Sequence, residues 1–222
     1  MEDSENEGKP LFLVTSLRIY RPDETPADVQ EKACEHESRH LEPEILTDRM
    51  VGSFEDEFTA HGLSRRTEGR DSRGPFWTLD CQGAGVGIAL DVDDLPKYCA
   101  ARKIESPHVQ ALADSGDLTI RSKAGGRDGC RTEDDSDDTF RDSDPPELVA
   151  LAERIRADWR DYLAGLARRM HADLSTDRDY LTSWECVKES AEANECGFAP
   201  DGSMVALSEG RTEGSGYNVG DV

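Results

Sequence analysis

The chain has 222 residues, 36% of them hydrophobic and 33% charged, with 48 Asp and Glu against 26 Lys and Arg and a formal net charge of −22. A length of this order fits one domain core, the charge repels nucleic-acid backbones and anionic membranes, and no run of about 18 apolar residues is present to span a bilayer. An Asp-rich, Lys-poor, Arg-using composition is equally what salt adaptation or a GC-rich genome produces, so charge alone assigns no task.

Residues 1–10 are acidic where a secretory leader would be basic and then apolar, which predicts a flexible tail on a cytoplasmic protein. Leu11 to Tyr20 is aliphatic and aromatic at strand length. Thr25 before Pro26 reads as an N-cap and first helical residue, predicting a helix to about His40 that Pro43 interrupts. A second helix is expected over Ile45 to His61. Ser64 to Gly74 is charged and Gly-punctuated, a solvated loop, and Phe76 to Val92 then predicts two strands. Gly83, Gly85 and Gly87 lie inside that stretch, at a spacing that marks a hairpin or bulge rather than a dinucleotide fingerprint.

Asp94 to Lys103 and Ser106 to Ser115 predict short helices, and Leu118 to Ser122 a strand. Between Gly125 and Pro146 apolar residues thin out, and Glu133 to Glu147 holds eight acids against one Arg, which predicts an exposed, mobile loop. From Glu147 to Leu174 the residues Leu148, Leu151, Ile155, Trp159, Tyr162, Leu163, Leu166 and Met170 recur at three and four spacing, predicting one long amphipathic helix. Thr182 with Glu185 reads as a capping box for a helix to about Asn194. Pro200-Asp201-Gly202 then predicts the turn of a small hairpin.

These elements describe an α+β fold: a small antiparallel sheet packed against one long amphipathic helix and several short helices. Residues 11–207 are expected to form a single domain with a mobile acidic loop at about 125–146, and residues 208–222 a flexible tail.

His36-Glu37-Ser38-Arg39-His40 matches H-E-x-x-H, which on a helix puts two imidazoles on one face to hold zinc while the Glu acts on bound water. Arg39 between the ligands and Pro43 just beyond them oppose a metal site, and Glu55, Glu57 or His61 would have to complete it. No cofactor is therefore expected, with zinc on His36 and His40 as the alternative. The acids at Asp134, Asp135, Asp137 and Asp138 lack the Gly and Glu that an EF-hand needs. Six cysteines are scattered without a C-x-x-C pair, which predicts reduced thiols.

Tyr180-Leu181-Thr182-Ser183, then Glu185, Val187 and Glu189, Glu192-Ala193-Asn194-Glu195, and Phe198 with Asp201-Gly202 make a pattern. With Gln82-Gly83-x-Gly85 after an aromatic segment, it resembles a group of uncharacterised proteins of tailed phages and prophages over about Phe76 to Leu207. The likeness departs at Trp184, Cys186 and Cys196-Gly197. It implies an α+β fold and a phage accessory role in the host cytoplasm, and it supplies no catalytic residues.

Three functions fit these features. The first is an accessory protein that binds a host protein with a basic surface, as an acidic, DNA-mimicking inhibitor of a defence or nucleic-acid enzyme, without binding nucleic acid or membrane itself. Glu133, Asp134, Asp135, Asp137, Asp138, Asp142, Asp144 and Glu147 would carry that surface, with Glu153, Asp158, Asp161 and Asp173 on the polar face of the long helix. The second is a metal-dependent hydrolase centred on His36, Glu37 and His40. The third is an antitoxin-like or assembly protein.

Overall fold

A computed structural model of the protein describes residues 18–66, 75–79, 85–125 and 130–207. In chain order, a 3-10 turn at Pro22–Glu24 precedes α1 (Ala27–His40) and α2 (Pro43–Ala60). Short strands follow as β1 (Leu63–Arg65), β2 (Phe76–Thr78), β3 (Gly85–Gly87) and β4 (Leu90–Val92), then α3 (Leu95–Ala101) and α4 (Val109–Ser115). Next come β5 (Leu118–Thr119), β6 (Ser122–Gly125), β7 (Arg131–Asp134) and β8 (Asp137–Asp138). The chain continues through α5 (Pro146–Leu181), α6 (Trp184–Ala193), β9 (Cys196–Phe198) and β10 (Met204–Ala206). The fold is α+β, with the long helix where the apolar periodicity places it. The strands form five two-stranded antiparallel ladders, β1 with β4, β2 with β3, β5 with β8, β6 with β7 and β9 with β10, where one small sheet was expected.

Where a single domain was expected, the chain divides into two compact units, one drawing on residues up to Leu41 and from Tyr180 onward, the other spanning Glu42–Asp179. In the first unit Val29 and Ala33 of α1 pack with Val187 and Ala191 of α6 and with Phe198 of β9. Tyr20 bridges Phe198 by reciprocal backbone hydrogen bonds of 2.8 Å, so the end of the Leu11 to Tyr20 segment pairs as a strand would. The hairpin turn closes on Gly202 at φ +88, where an added Cβ would lie 2.5 Å from the backbone of Lys32 and Ala33. Only a glycine lets α1 and the turn approach this closely.

In the second unit the buried stripe of α5 (Leu151, Ile155, Trp159, Leu163, Leu166, Met170) meets a core that includes Met50, Phe54 and Phe58 of α2 and Tyr98 and Cys99 of α3. Two hydroxyls join strands that backbone ladders do not. Ser122 Oγ, fully buried, accepts from Leu90 N at 3.0 Å and donates to Ile88 O at 3.1 Å. Thr132 Oγ1 accepts from Ile88 N and donates to Val86 O, each at 3.1 Å. Each hydroxyl uses both of its roles, which is what makes a polar atom tolerable at that depth.

Several expectations are corrected. Pro26, not Thr25, is the N-cap of α1, and Thr25 instead donates its hydroxyl to Arg21 O at 2.8 Å. Pro43 opens α2 rather than merely interrupting α1, because its fixed φ suits a first turn. The cap of α6 is Ser183, which accepts from Cys186 N at 3.3 Å, one residue beyond the Thr182 expected. Phe76 to Val92 holds three strands rather than two, and α5 continues to Leu181, past the Leu174 expected. The predicted acidic loop is the least like its expectation: residues 131–134 and 137–138 are strands, registered as Lys123 opposite Glu133 and Leu118 opposite Asp138. The tails at 1–10 and 208–222, residues 11–17 of the first strand, most of the Ser64 to Gly74 loop, Gly83 and the start of the acidic loop at 126–129 lie outside the described residues.

Candidate functional site

The acidic segment divides by partner. Asp134 faces Arg160 at 3.8 Å, Asp135 lies 3.2 Å from Arg121 and 3.4 Å from Lys123, and Asp138 meets Arg156 at 2.5 Å. Two of these cations come from one face of α5, so β7 and β8 are held on the helix by pairs of opposite charge. Asp144 accepts from Arg141 N at 2.6 Å and shapes the turn before α5. Glu133, Asp137, Asp142, Asp144 and Glu147 make no ion pair among the described residues. Asp142, Asp144 and Glu153, with Arg141 among them, rim an open cleft of about 490 Å³ whose apolar lining is Phe140, Pro146, Val149 and Ala150.

His36 and His40 stand on exposed positions of α1 with ring centroids 4.4 Å apart, as one helical turn requires. Among the described residues no group of three His, Cys, Asp or Glu is placed to hold a metal ion. Of the third ligands considered, Glu57 and His61 are engaged elsewhere, in a polar cleft that sequence reasoning did not find.

That cleft, also about 490 Å³, is lined from α5 by Asp161, Tyr162, Gly165 and Arg169, from the end of α2 by Glu57 and His61, and by Arg102 just after α3. Asp161, Gly165 and Arg169 follow one another at four spacing, with Tyr162 three before Gly165, and so share a face. Glu57 takes a bidentate ion pair from Arg169, at 2.6 and 2.8 Å, and a hydrogen bond from the Tyr162 hydroxyl at 3.0 Å. Burial works to raise the Glu57 carboxyl, but those hydrogen bonds and the charges of Arg169 and His61 outweigh it and hold the group below its usual range.

A second carboxylate anchors the opposite wall. Asp158 accepts from the Tyr98 hydroxyl at 2.8 Å and from Arg102 Nε and Nη2 at 2.9 and 3.1 Å. It is thus turned into the unit rather than offered on the polar face of α5. Burial, then the hydrogen bond to Asp158 and its charge, drive the Tyr98 phenol far above its ordinary value. Arg102 is held protonated mainly by the same carboxylate, and its guanidinium lies 5.2 Å over the Tyr162 ring. Tyr162, raised chiefly by burial and then by the Glu57 charge, is a neutral donor at every physiological pH.

His61 brings a ring 5.3 Å from that of Tyr162. Its Nδ1 sits 2.8 Å from the Glu57 carbonyl oxygen, which can only accept, so Nδ1 carries the proton and Nε2 keeps its lone pair in the neutral ring. A further cleft of about 370 Å³ gathers Cys130, Arg131, Thr132, Arg168 and His171, where the His171 Nε2 is buried without a hydrogen-bond partner among the described residues.

Comparison with known protein families, with curated proteins and with solved structures finds no match to this chain. Among the described residues no helix is long and apolar enough to cross a membrane.

Proposed function

We propose that this protein acts by protein-protein binding, presenting an acidic surface to a partner with a basic one, in the manner of an inhibitor that occupies the nucleic-acid site of a host enzyme. The observation that carries the proposal is the surplus of charge after internal pairing. Asp134, Asp135 and Asp138 are spent on holding β7 and β8 to α5, and the binding set contracts to Glu133, Asp137, Asp142, Asp144 and Glu147, joined by Glu153. Of these carboxylates Asp142, Asp144 and Glu153 line the Phe140 cleft, where the aliphatic stem of an Arg or Lys could lie on apolar surface with its charge at the rim. A formal charge of −22 steers a basic partner toward that face over about a Debye length, 8 Å at physiological salt. An accessory role in a phage-infected host, which the resemblance over about Phe76 to Leu207 implies, is in keeping with this reading.

The test is capture from host lysate on the immobilised protein at 50 and 150 mM salt, alongside the variant Asp137→Asn, Asp142→Asn, Asp144→Asn. A nucleic-acid-processing enzyme retained by the parent, released by salt and absent from the triple variant is the expected result. Equal retention by parent and variant at both salts refutes the proposal.

A further inference from the structure

The cleft of about 370 Å³ in the second unit differs from the other two in the sign of its lining. Glu57 and Asp161 line one of those, and Asp142, Asp144 and Glu153 the other, whereas no carboxylate lines this one. Its charged side chains are Arg131 of β7 and Arg168 of α5, and His171, three residues after Arg168, shares a helix face with it. The strand that carries Arg131 is held in place, because the neighbouring Thr132 hydroxyl bonds Val86 O and Ile88 N of the β3 segment. The volume lies within the range of small-molecule sites.

The unused capacity of these groups defines what the cleft can hold. Acids outnumber bases 48 to 26 in this chain, yet neither Arg131 nor Arg168 makes an ion pair among the described residues. Arg168 Nε donates to Ala164 O at 3.1 Å, which anchors the side chain and leaves both terminal nitrogens of its fork unspent. His171 Nε2 is buried without a hydrogen-bond partner among the described residues, a state that a ligand relieves. Guanidinium groups only donate, and the imidazole donates from Nε2 when that nitrogen carries the proton. A cation would meet two like charges and no acid, whereas an oxyanion meets donors alone. A carboxylate brings one charge to two guanidinium groups; a phosphate monoester brings about −1.5 to −2 at pH 7 and three acceptor oxygens. The net charge of −22 opposes any anion, but acids beyond about 8 Å are screened at physiological salt while the two guanidinium groups act at contact.

We propose that the cleft formed by Arg131, Arg168 and His171 is a binding site for a small phosphate-bearing molecule. The two guanidinium groups neutralise the phosphate and donate to its oxygens. The His171 ring turns toward the cleft and gives its Nε2 proton to a third oxygen, exchanging a buried, unpartnered nitrogen for a hydrogen bond. This site uses none of the acidic residues assigned to partner binding, so either proposal can fail without the other.

The free ion and a phosphorylated metabolite share this chemistry, and the experiment separates them. Inorganic phosphate, and in a parallel arm ribose 5-phosphate, are titrated at pH 7 into the isotopically labelled full chain at constant ionic strength, with chloride and acetate as controls. The phosphate probes should produce saturable shifts at the amides of residues 85–86, 131–132 and 167–171 and at the His171 ring nitrogens, and chloride should produce none. Ribose 5-phosphate binding at least tenfold tighter than inorganic phosphate assigns a phosphorylated metabolite, and equal or weaker binding assigns the free ion. Arg131→Gln and Arg168→Gln, both at exposed positions, should each weaken binding at least tenfold and together abolish it, with the melting temperature unchanged. Arg154→Gln removes the same charge from an exposed position of α5 outside the cleft and should leave the titration unaltered. Acetate binding as tightly as either phosphate probe overturns the proposal. So do shifts that fail to saturate or that leave the His171 ring nitrogens unmoved, and binding that survives in the double variant.

Discussion

Removing the Asp158 carboxylate should destabilise the second unit far more than a surface charge change would. Asp158 accepts three hydrogen bonds, one from a tyrosine that is 0% exposed and two from Arg102. In Asp158→Ala the Tyr98 hydroxyl is left buried without a partner, a cost of about 1–3 kcal/mol. Arg102, with 30% of its side chain exposed, regains water and loses only about 0.5 kcal/mol. Together these come to about 1.5–3.5 kcal/mol. Tyr98→Phe removes donor and need together at this contact and should cost about 1 kcal/mol. In the Tyr98→Phe background Asp158→Ala no longer strands a phenol, so the double variant should be less destabilised than the two changes added, by about 1–1.5 kcal/mol. Urea unfolding read from the fluorescence of Trp159, whose ring lies 5.6 Å from Tyr98, measures all four proteins. Additive costs, or an Asp158→Ala cost under about 0.5 kcal/mol, would refute the reasoning.

Gly202→Ala should destabilise the first unit by about 2–3 kcal/mol, because φ +88 and the contact with α1 both exclude a Cβ, whereas Gly116→Ala in the second unit, with φ +69 but open space, should cost about 1 kcal/mol; thermal melts followed at Trp184 for the first change and at Trp159 for the second measure them. Since Glu57 is held below the usual carboxylate range, its contribution is present above that range and is lost as pH falls through the folded value. Glu57→Gln should therefore cost about 1–2 kcal/mol at pH 7 and progressively less toward pH 3, and a pH-independent difference in urea midpoints would contradict the pairing. Cys99, buried and pushed up to about 11, should resist iodoacetamide at pH 8 until the chain unfolds, which mass spectrometry of the alkylated peptide reports. With His36 and His40 exposed and no third ligand grouped with them among the described residues, zinc at one equivalent should be lost on dialysis and chelator should leave the melting temperature unchanged; retained stoichiometric zinc would reverse that conclusion.

The elements were legible wherever local chemistry and tertiary need agreed. α5 announces itself because its apolar stripe persists over many turns, and Pro200-Asp201-Gly202 announces a turn because only a glycine tolerates that backbone. The acidic strands were not legible. β7 and β8 carry charges that normally solvate a loop, and they pair because Arg121, Arg156 and Arg160, distant in sequence or on another element, neutralise them. Nothing local to Glu133 through Asp138 encodes that compensation. The polar cleft was half visible: Tyr162, Gly165 and Arg169 share a helix face by spacing alone, and a glycine inside a strong helix is a signal in its own right. That Glu57 and His61 meet them depends on how α2 packs, which no periodicity states. The cap at Ser183 missed by one residue because Thr182 beside it offers the same hydroxyl, and Thr25 missed because its hydroxyl turns back to Arg21 O and leaves Pro26 to open α1 without a side-chain cap.

The divided first unit bears on the order in which this chain can fold during synthesis. Glu42–Asp179 is contiguous and is complete once α5 has emerged from the ribosome. α1 emerges long before but must wait for α6, β9 and β10, so Val29 and Ala33 remain uncovered through the translation of everything between. The acids that crowd the rest of α1 then serve an interval as much as a structure: they keep an unpartnered helix in solution until its far-off complement arrives.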